Sequence, residues 1–212
     1  MSSTFLNIAV FGSGKGSNFR TILEAIESGR IPNARIRVVI SNNSTAGILE
    51  IARSAALPAV HLSRKQVEHE SGFVEATVGL LQQFDVNFLV LAGYMKRLHP
   101  RIIATYRNRI LNIHPALLPA HGGKGMYGTR VHEAVIAAGD RFSGATVHLV
   151  DEEYDHGPIV LQQRVEVSVS DTPESLAAKV LTVEHGLYPE AIRLFAEGRV
   201  DIRNGSIHIL QP

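Results

Sequence analysis

The five residues from Phe88 to Ala92 are almost wholly apolar and show no alternation of polar and apolar side chains. Such a run is far too short to cross a membrane or to form a core helix, so it predicts a strand buried on both faces. Strands of that kind belong to parallel sheets that helices cover on each side. The rest of the chain must therefore supply those helices and the neighbouring strands.

Strand and helix patterns alternate along the whole chain. The apolar run 7–11 ends at glycines, and apolar residues then recur at helical spacing up to Gly29. Further strands are predicted at 36–41, 60–61, 110–114, 144–150 and 159–167, and further helices at 48–55, 73–84, 101–106, 130–138 and from Asp171 or Thr172 as cap. This order predicts an α/β fold, doubly wound around a mostly parallel sheet, with a terminal hairpin at Asn204–Gly205.

The composition argues against several classes of protein. The 21 basic and 20 acidic side chains leave a net charge of +1, which gives no basic field for nucleic acid. The chain has no cysteine, which excludes thiolate metal sites and thiol catalysis, and no histidine pair has the spacing of metal ligands. The opening residues 1–7 lack the charged start of a signal peptide. We expect a cytoplasmic protein that binds no nucleic acid, membrane or metal.

A glycine-rich loop, Gly12–Asn18, separates the first predicted strand from the first helix. The amides at a helix N-terminus attract an anion, and glycines let its oxygens approach the backbone. The spacing matches neither a Walker loop nor a dinucleotide fingerprint, which disfavours ATP and NAD. The loop predicts a phosphate site for a small metabolite, and a simple connecting turn is the alternative. The residues expected at this site are Gly14, Lys15, Gly16, Ser17 and Asn18.

Asn112 and His114 lie two residues apart at the end of a predicted strand, so their side chains point to the same face. An amide and an imidazole there could hold a carbonyl oxygen and transfer a proton, as acyl-type chemistry needs. Asp155, in the turn between two later strands, is the carboxylate expected nearest to that histidine. Simpler roles stay open: a histidine bonded to a loop carbonyl, and an aspartate that stabilises its own turn.

Five motifs are spread over nearly the whole chain, and they are Gly16–Asn18, Leu91–Met95, Asn112–Pro119, Asp155–Pro158 and Glu184–His185. Together they resemble the phosphoribosylglycinamide formyltransferase family of folate-dependent enzymes. The resemblance implies the formyltransferase fold with a Rossmann-like N-terminal half. It also implies transfer of the formyl group of 10-formyltetrahydrofolate to the amine of glycinamide ribonucleotide, which gives formylglycinamide ribonucleotide and tetrahydrofolate in de novo purine (IMP) biosynthesis.

The resemblance implies roles for individual residues as well. Asn112 would bind the formyl oxygen as it becomes an oxyanion, His114 would be the general acid for the leaving folate nitrogen, and Asp155 would keep His114 protonated. Glu184 would contact the sugar hydroxyls of the ribonucleotide, whose phosphate would bind the glycine loop. The residues implied to contact the folate are Met95, Lys96, Arg97, Leu98, Asn112, Tyr154, His156 and Gly157.

The expected organisation is one domain over residues 1–212. Residues 1–105 would form a phosphate-binding half, and residues 106–212 a catalytic and folate-binding half. Formyl folate would serve as co-substrate without a metal, and the protein would be a monomer or a homodimer. Two other functions stay open, the N-formylation of an amino-sugar nucleotide and the non-catalytic binding of a phosphate metabolite. The glycine loop disfavours the first, and the set Asn112, His114 and Asp155 disfavours the second.

Overall fold

The computed structural model describes residues 5–211 and builds them around one seven-stranded sheet and a separate hairpin. Residues 1–4, which belong to the segment considered for a signal peptide, and residue 212 lie outside the described residues. The strands are β1 (Leu6–Phe11), β2 (Ala34–Ser41), β3 (Ala59–His61), β4 (Phe88–Leu91), β5 (Ile110–His114), β6 (Phe142–Leu149), β7 (Ile159–Glu166), β8 (Val200–Arg203) and β9 (Ser206–Ile209). The helices are α1 (Ser17–Glu27), α2 (Gly47–Ser54), α3 (Glu70–Gln83), α4 (Pro100–Thr105), α5 (Thr129–Ala138) and α6 (Pro173–Ala196).

The large sheet has the strand order β3-β2-β1-β4-β5-β6-β7. The first five of these strands are mutually parallel, whereas β6 runs antiparallel to both β5 and β7. The prediction of a mostly parallel, doubly wound sheet is thus confirmed. The strands β8 and β9 form the terminal hairpin around Asn204–Gly205, also as predicted.

Helices cover the large sheet on both faces, and the side chains of β4 show how. Phe88 and Val90 belong to the core that packs under α1, α2, α5 and α6, whereas Leu89 and Leu91 belong to a second core under α3 and α4. All four side chains are buried. A strand that faces two cores needs apolar residues at every position, which explains the unbroken run in the sequence.

The start of α6 is fixed by a capping box at Thr172. Its hydroxyl accepts a hydrogen bond from the Ser175 backbone amide at 3.2 Å, and the Ser175 hydroxyl accepts one from the Thr172 amide at 3.0 Å. Asp171, the other cap candidate, forms an ion pair with Lys179 at 2.6 Å. The sequence also placed the start of β6 at position 144, but pairing with β7 extends the strand back to Phe142.

The order of the strands changes direction between β1 and β4, which makes the carboxyl ends of these two strands a crevice where open α/β sheets bind ligands. Two backbone-anchored loops line it. The Ser13 amide donates to the Gly93 carbonyl at 3.0 Å, and the Met95 amide donates to the Ser13 hydroxyl at 2.8 Å. The two loops that follow β1 and β4 are therefore held together. Within residues 5–211, none of the helices is long and apolar enough to cross a membrane.

The hydroxyl of Tyr188 on α6 lies 3.1 Å from the Leu91 carbonyl oxygen and 3.0 Å from that of Leu111. The tyrosine is fully buried, and burial raises the pKa of its hydroxyl. One hydroxyl proton is shared by two carbonyls, that of Leu91 at the end of β4 and that of Leu111 near the start of β5. This contact fixes α6 to β4, whose carboxyl end borders the crevice, and to the neighbouring strand β5.

We predict that Tyr188→Phe lowers the free energy of unfolding by about 1–3 kcal/mol, because two buried carbonyls lose their partner. Chemical denaturation measures this change. Tyr106→Phe is the matched control, since the Tyr106 hydroxyl serves a single carbonyl, that of Val86 at 3.2 Å. An equal loss in the two variants would contradict the bridging role of Tyr188.

Candidate active site

The antiparallel pairing of β5 and β6 creates a polar face at the end of the parallel part of the sheet. In this register Asn112 lies opposite His148, and His114 lies opposite Thr146. Residues that are directly opposite in an antiparallel pair carry side chains on the same face. The predicted pair Asn112 and His114 therefore shares its face with two residues of β6.

Asp155 lies between two histidines of this face. One of its carboxylate oxygens is 3.5 Å from His114 Nδ1, and the other is 3.6 Å from His148 Nε2. The Gly123 amide also donates to the carboxylate at 2.9 Å. Asp155 adopts a φ of 54°, a left-handed conformation that aspartate tolerates in turns. The structure thus brings Asp155 next to His114, as the sequence predicts.

The ionisation of Asp155 is set by these neighbours. Burial alone raises the pKa of its carboxyl, but the nearby His148 ring, the charge of His114 and the hydrogen bond from the Gly123 amide together hold the pKa below its ordinary value. Asp155 is therefore ionised at neutral pH. It supplies a negative charge to a site that is largely shielded from water.

The imidazole of His114 has oxygen atoms facing both of its nitrogens. Nε2 lies 2.8 Å from the His121 carbonyl oxygen, and Nδ1 faces Asp155. Only an imidazolium can donate to both. Burial nevertheless lowers the pKa of His114 more than Asp155 and the His121 carbonyl raise it. The expectation that Asp155 keeps His114 protonated thus holds for the direction of its effect, while burial decides the net shift in the free protein.

His148 is a site residue that sequence reasoning missed. Its Nε2 lies 3.0 Å from Asn112 Nδ2, and its Nδ1 lies 2.8 Å from the Leu149 carbonyl oxygen. The signal lies in the alternation of β6, where 146 and 148 share a face, but it becomes useful only when the antiparallel register with β5 is known. Asn112 thus contacts the acidic centre through His148.

The loop after His114 is anchored to the sheet rather than free. The Thr146 hydroxyl donates to the Ala116 carbonyl at 2.6 Å and accepts from the Leu118 amide at 3.1 Å. The side-chain amide of Gln162 donates to the Leu118 carbonyl at 3.0 Å. Further on, His121 pairs with Asp140 at 2.6 Å. These bonds fix the His121 carbonyl that faces His114, so the loop positions the imidazole.

The predicted phosphate loop leads directly into the N-terminus of α1. Gly16 precedes this helix with a φ of 81°, and no side chain caps the end of the helix. A Cβ at position 16 would lie 2.8 Å from the Ile48 Cα, so glycine is required for the packing of α2. Gly14 and Lys15 are exposed. An uncapped helix end with open glycine backbone is suited to an anion.

Glu184 reaches this loop from α6, 166 residues further along the chain. Its carboxylate accepts a hydrogen bond from Asn18 Nδ2 at 2.6 Å, and the Asn18 Oδ1 atom is buried without a partner. Both residues are 9% exposed. Burial raises the pKa of Glu184 more than the bond from Asn18 lowers it. The structure therefore brings together two residues of the predicted ribonucleotide site.

The residues predicted to contact folate lie in two neighbouring segments. Arg97 stands over the Tyr154 ring at 5.6 Å and donates to the Glu152 carbonyl. Met95 and Tyr154 are about half exposed, and together they offer apolar surface beside the crevice. Leu98 is buried in the core under α3 and α4, so its side chain is not available to a ligand.

The last two of the predicted folate residues have local roles in the structure. His156 is exposed and pairs with Asp151 at 2.8 Å, which raises the pKa of its imidazole. Gly157 lies against the Leu149 carbonyl, where a side chain would not fit. Among residues 5–211, no group of three or more His, Cys, Asp and Glu side chains could hold a metal ion.

The chain matches the family model described as formyl transferase over residues 6–192. It is 42% identical over 205 residues to the chloroplastic phosphoribosylglycinamide formyltransferase of Arabidopsis thaliana, and the alignment covers 96% of this chain and 70% of that protein. It is 40% identical over 202 residues to the phosphoribosylglycinamide formyltransferase of Haemophilus influenzae, and that alignment covers 95% of this chain and 92% of the relative.

The fold is also that of a solved relative. The crystal structure of glycinamide ribonucleotide transformylase 1 from Symbiobacterium toebii superimposes with a TM-score of 0.92 at 40% identity, covering 100% of this chain and 96% of that chain. The family model, the curated relatives and the solved structure all indicate the family that the motifs of the glycine loop and of β5 resemble. The chain belongs to the formyl transferase family, among the phosphoribosylglycinamide formyltransferases.

Proposed function

We propose that this chain transfers the formyl group of 10-formyltetrahydrofolate to the amine of glycinamide ribonucleotide, the step of purine biosynthesis for which its relatives are named. The observation that carries the proposal is the convergence of Asn112, His114 and Asp155 at the end of β5. An oxyanion donor, a proton donor and a fixed carboxylate are what acyl transfer between two nitrogens needs.

The reaction proceeds by direct attack of the ribonucleotide amine on the formyl carbon. A tetrahedral intermediate forms, and its oxygen gains negative charge that the amide group of Asn112 stabilises. The attacking nitrogen loses a proton, and the folate N10 gains one before the bond between carbon and N10 breaks. The enzyme forms no covalent intermediate, so catalysis rests on alignment of the substrates and on charge stabilisation.

His114 supplies the proton to the leaving nitrogen in this proposal. Because burial keeps its pKa low in the free protein, the proton is weakly held once present and is transferred readily. Asp155 opposes burial and retains enough imidazolium for turnover. The carboxylate therefore sets a balance between the acid strength of the His114 imidazolium and the fraction of His114 that is protonated.

The two substrates meet in the crevice from opposite sides. The phosphate of the ribonucleotide binds the amides at Gly14–Asn18, and its sugar hydroxyls approach Glu184, with Lys15 adding positive charge. The formyl folate lies against Met95–Arg97, the backbone of Leu98 and the turn 154–157. The hydrogen bonds of Ser13 to the loop after β4 keep these two binding regions in a fixed relation.

The organisation of the chain is part of the same proposal. Residues 1–105 form a phosphate-binding half and residues 106–212 a catalytic half, although Glu184 from the second half completes the ribonucleotide site and Met95 to Leu98 from the first contribute to the folate site. We propose a cytoplasmic protein that acts as a monomer or homodimer, without a metal. Light scattering of the purified protein measures its oligomeric state.

The function is tested by the change in absorbance that accompanies release of the deformylated folate. The acceptor is synthetic glycinamide ribonucleotide, and the donor is a 10-formylfolate analogue. We expect turnover only when both are present. Turnover with an amino-sugar nucleotide instead would show that the acceptor is not glycinamide ribonucleotide. Binding of the ribonucleotide without any turnover would show a binding protein and not an enzyme.

We predict that Gly14→Ala raises the KM for glycinamide ribonucleotide by about tenfold, the effect of one lost charge-assisted hydrogen bond. A methyl group at position 14 meets no protein atom within 4 Å, so the fold should be unaffected while the phosphate is kept away. Gly16→Ala is the contrasting variant, because its clash with Ile48 should also lower thermal stability. Equal changes in KM for both substrates after Gly14→Ala would place the phosphate elsewhere.

We predict that Glu184→Gln raises the thermal midpoint of the free protein at pH 8 but weakens binding of the ribonucleotide. Burial raises the pKa of Glu184, so the ionised side chain destabilises the fold above the pKa of the unfolded chain, and the gain from glutamine should disappear at about pH 4. Glutamine still accepts the bond from Asn18. Glu190→Gln on the same helix is the control, since it loses an ion pair with Arg193 and should give no gain.

We predict that Asp155→Asn lowers turnover and moves the limb at which turnover falls with rising pH to lower pH. The carboxylate raises the pKa of His114, so its removal leaves burial less opposed and the imidazolium deprotonates earlier. Profiles of kcat against pH measure the shift. Asp151→Asn is the control, because its partner is the exposed His156, and this variant should leave the limb in place. An unmoved limb in Asp155→Asn would remove His114 from the acid role.

A further inference from the structure

His148 is a buried histidine whose neighbours lie on three separate elements. It is 2% exposed, and it faces Asn112 and His114 from β5, Asp155 from the turn before β7, and the Leu149 carbonyl of its own strand. The proposed mechanism uses Asn112, His114 and Asp155 and gives His148 no task. A titratable side chain enclosed by the reacting groups needs an explanation of its own.

The hydrogen bonds of His148 determine where its protons are. A carbonyl oxygen only accepts, so Nδ1, at 2.8 Å from the Leu149 oxygen, carries a hydrogen. In the neutral ring Nε2 is then an acceptor. Asn112 Nδ2, at 3.0 Å, donates one of its two N–H groups to this acceptor.

This bond fixes the orientation of the Asn112 amide. An amide can turn about its last bond and exchange its oxygen for its nitrogen, and only the nitrogen end can donate to an oxyanion. With the nitrogen bonded to His148, the second N–H of the same group is the donor left for the formyl oxygen. With the amide reversed, its oxygen would face a developing negative charge and repel it.

We propose that His148 is a positioning residue that holds the Asn112 amide in its donating orientation through the neutral tautomer fixed by the Leu149 carbonyl. The inference rests on the proposed formyl transfer. It assigns to His148 an effect on the transition state and none on the affinity for either substrate.

Two substitutions of His148 separate positioning from packing. Glutamine can present an acceptor oxygen close to the Nε2 position, whereas leucine fills similar space without one. We expect His148→Leu to lower kcat by about tenfold to a hundredfold, with KM for both substrates nearly unchanged, and His148→Gln to recover most of that loss.

A double-mutant cycle with Asn112→Ala completes the experiment. If His148 acts through Asn112, His148→Leu should cost about threefold or less in the Asn112→Ala background. The same loss in both backgrounds, or a glutamine variant no better than leucine while circular dichroism shows both folded, would overturn the inference. Turnover of the unchanged protein is measured alongside. Its absence would refute the proposed function and, with it, the role of His148, whereas the outcomes above refute the role of His148 alone.

Discussion

The buried carboxylate of Asp155 is the charge around which the site is organised. Its side chain is 11% exposed, and an ionised group so far from water must find compensating partners in the protein. Those partners come from β5, from β6 and from the loop at Gly123. The two oxygens of this one carboxylate therefore face groups from three segments that are distant in sequence. The register of β5 and β6 places the two histidines, and the bonds of the loop place Gly123, where all three can compensate this charge.

The crevice at β1 and β4 explains why the two proposed binding regions lie side by side. The loop after β1 has the geometry for an anion, and the loop after β4 presents apolar surface beside the turn 154–157. Ser13 is bonded to both Gly93 and Met95. A donor and an acceptor held on joined loops lose less freedom when they react, which lowers the barrier of a reaction that forms no covalent intermediate.

Most of the architecture follows from local patterns that the sequence displays. The apolar run at β4, the helical spacing of α1 and the shared face of Asn112 and His114 are properties of neighbouring residues, and the structure has all three. His148 could not be identified in this way, because its importance comes from the antiparallel register between β5 and β6. The net pKa of His114 was also beyond local patterns, since burial is a property of the whole fold.

Glu184 and Tyr188 are four residues apart and therefore lie on the same side of α6. One reaches the loop of Asn18, and the other is bonded to carbonyls in the centre of the sheet. The proposed contact of Glu184 with the sugar is thus anchored through α6 to the hydrophobic interior, and the proposed direction in which the amine approaches depends on the packing of that interior. Mutations that loosen this interior far from the crevice should misalign the attacking amine well before they unfold the protein.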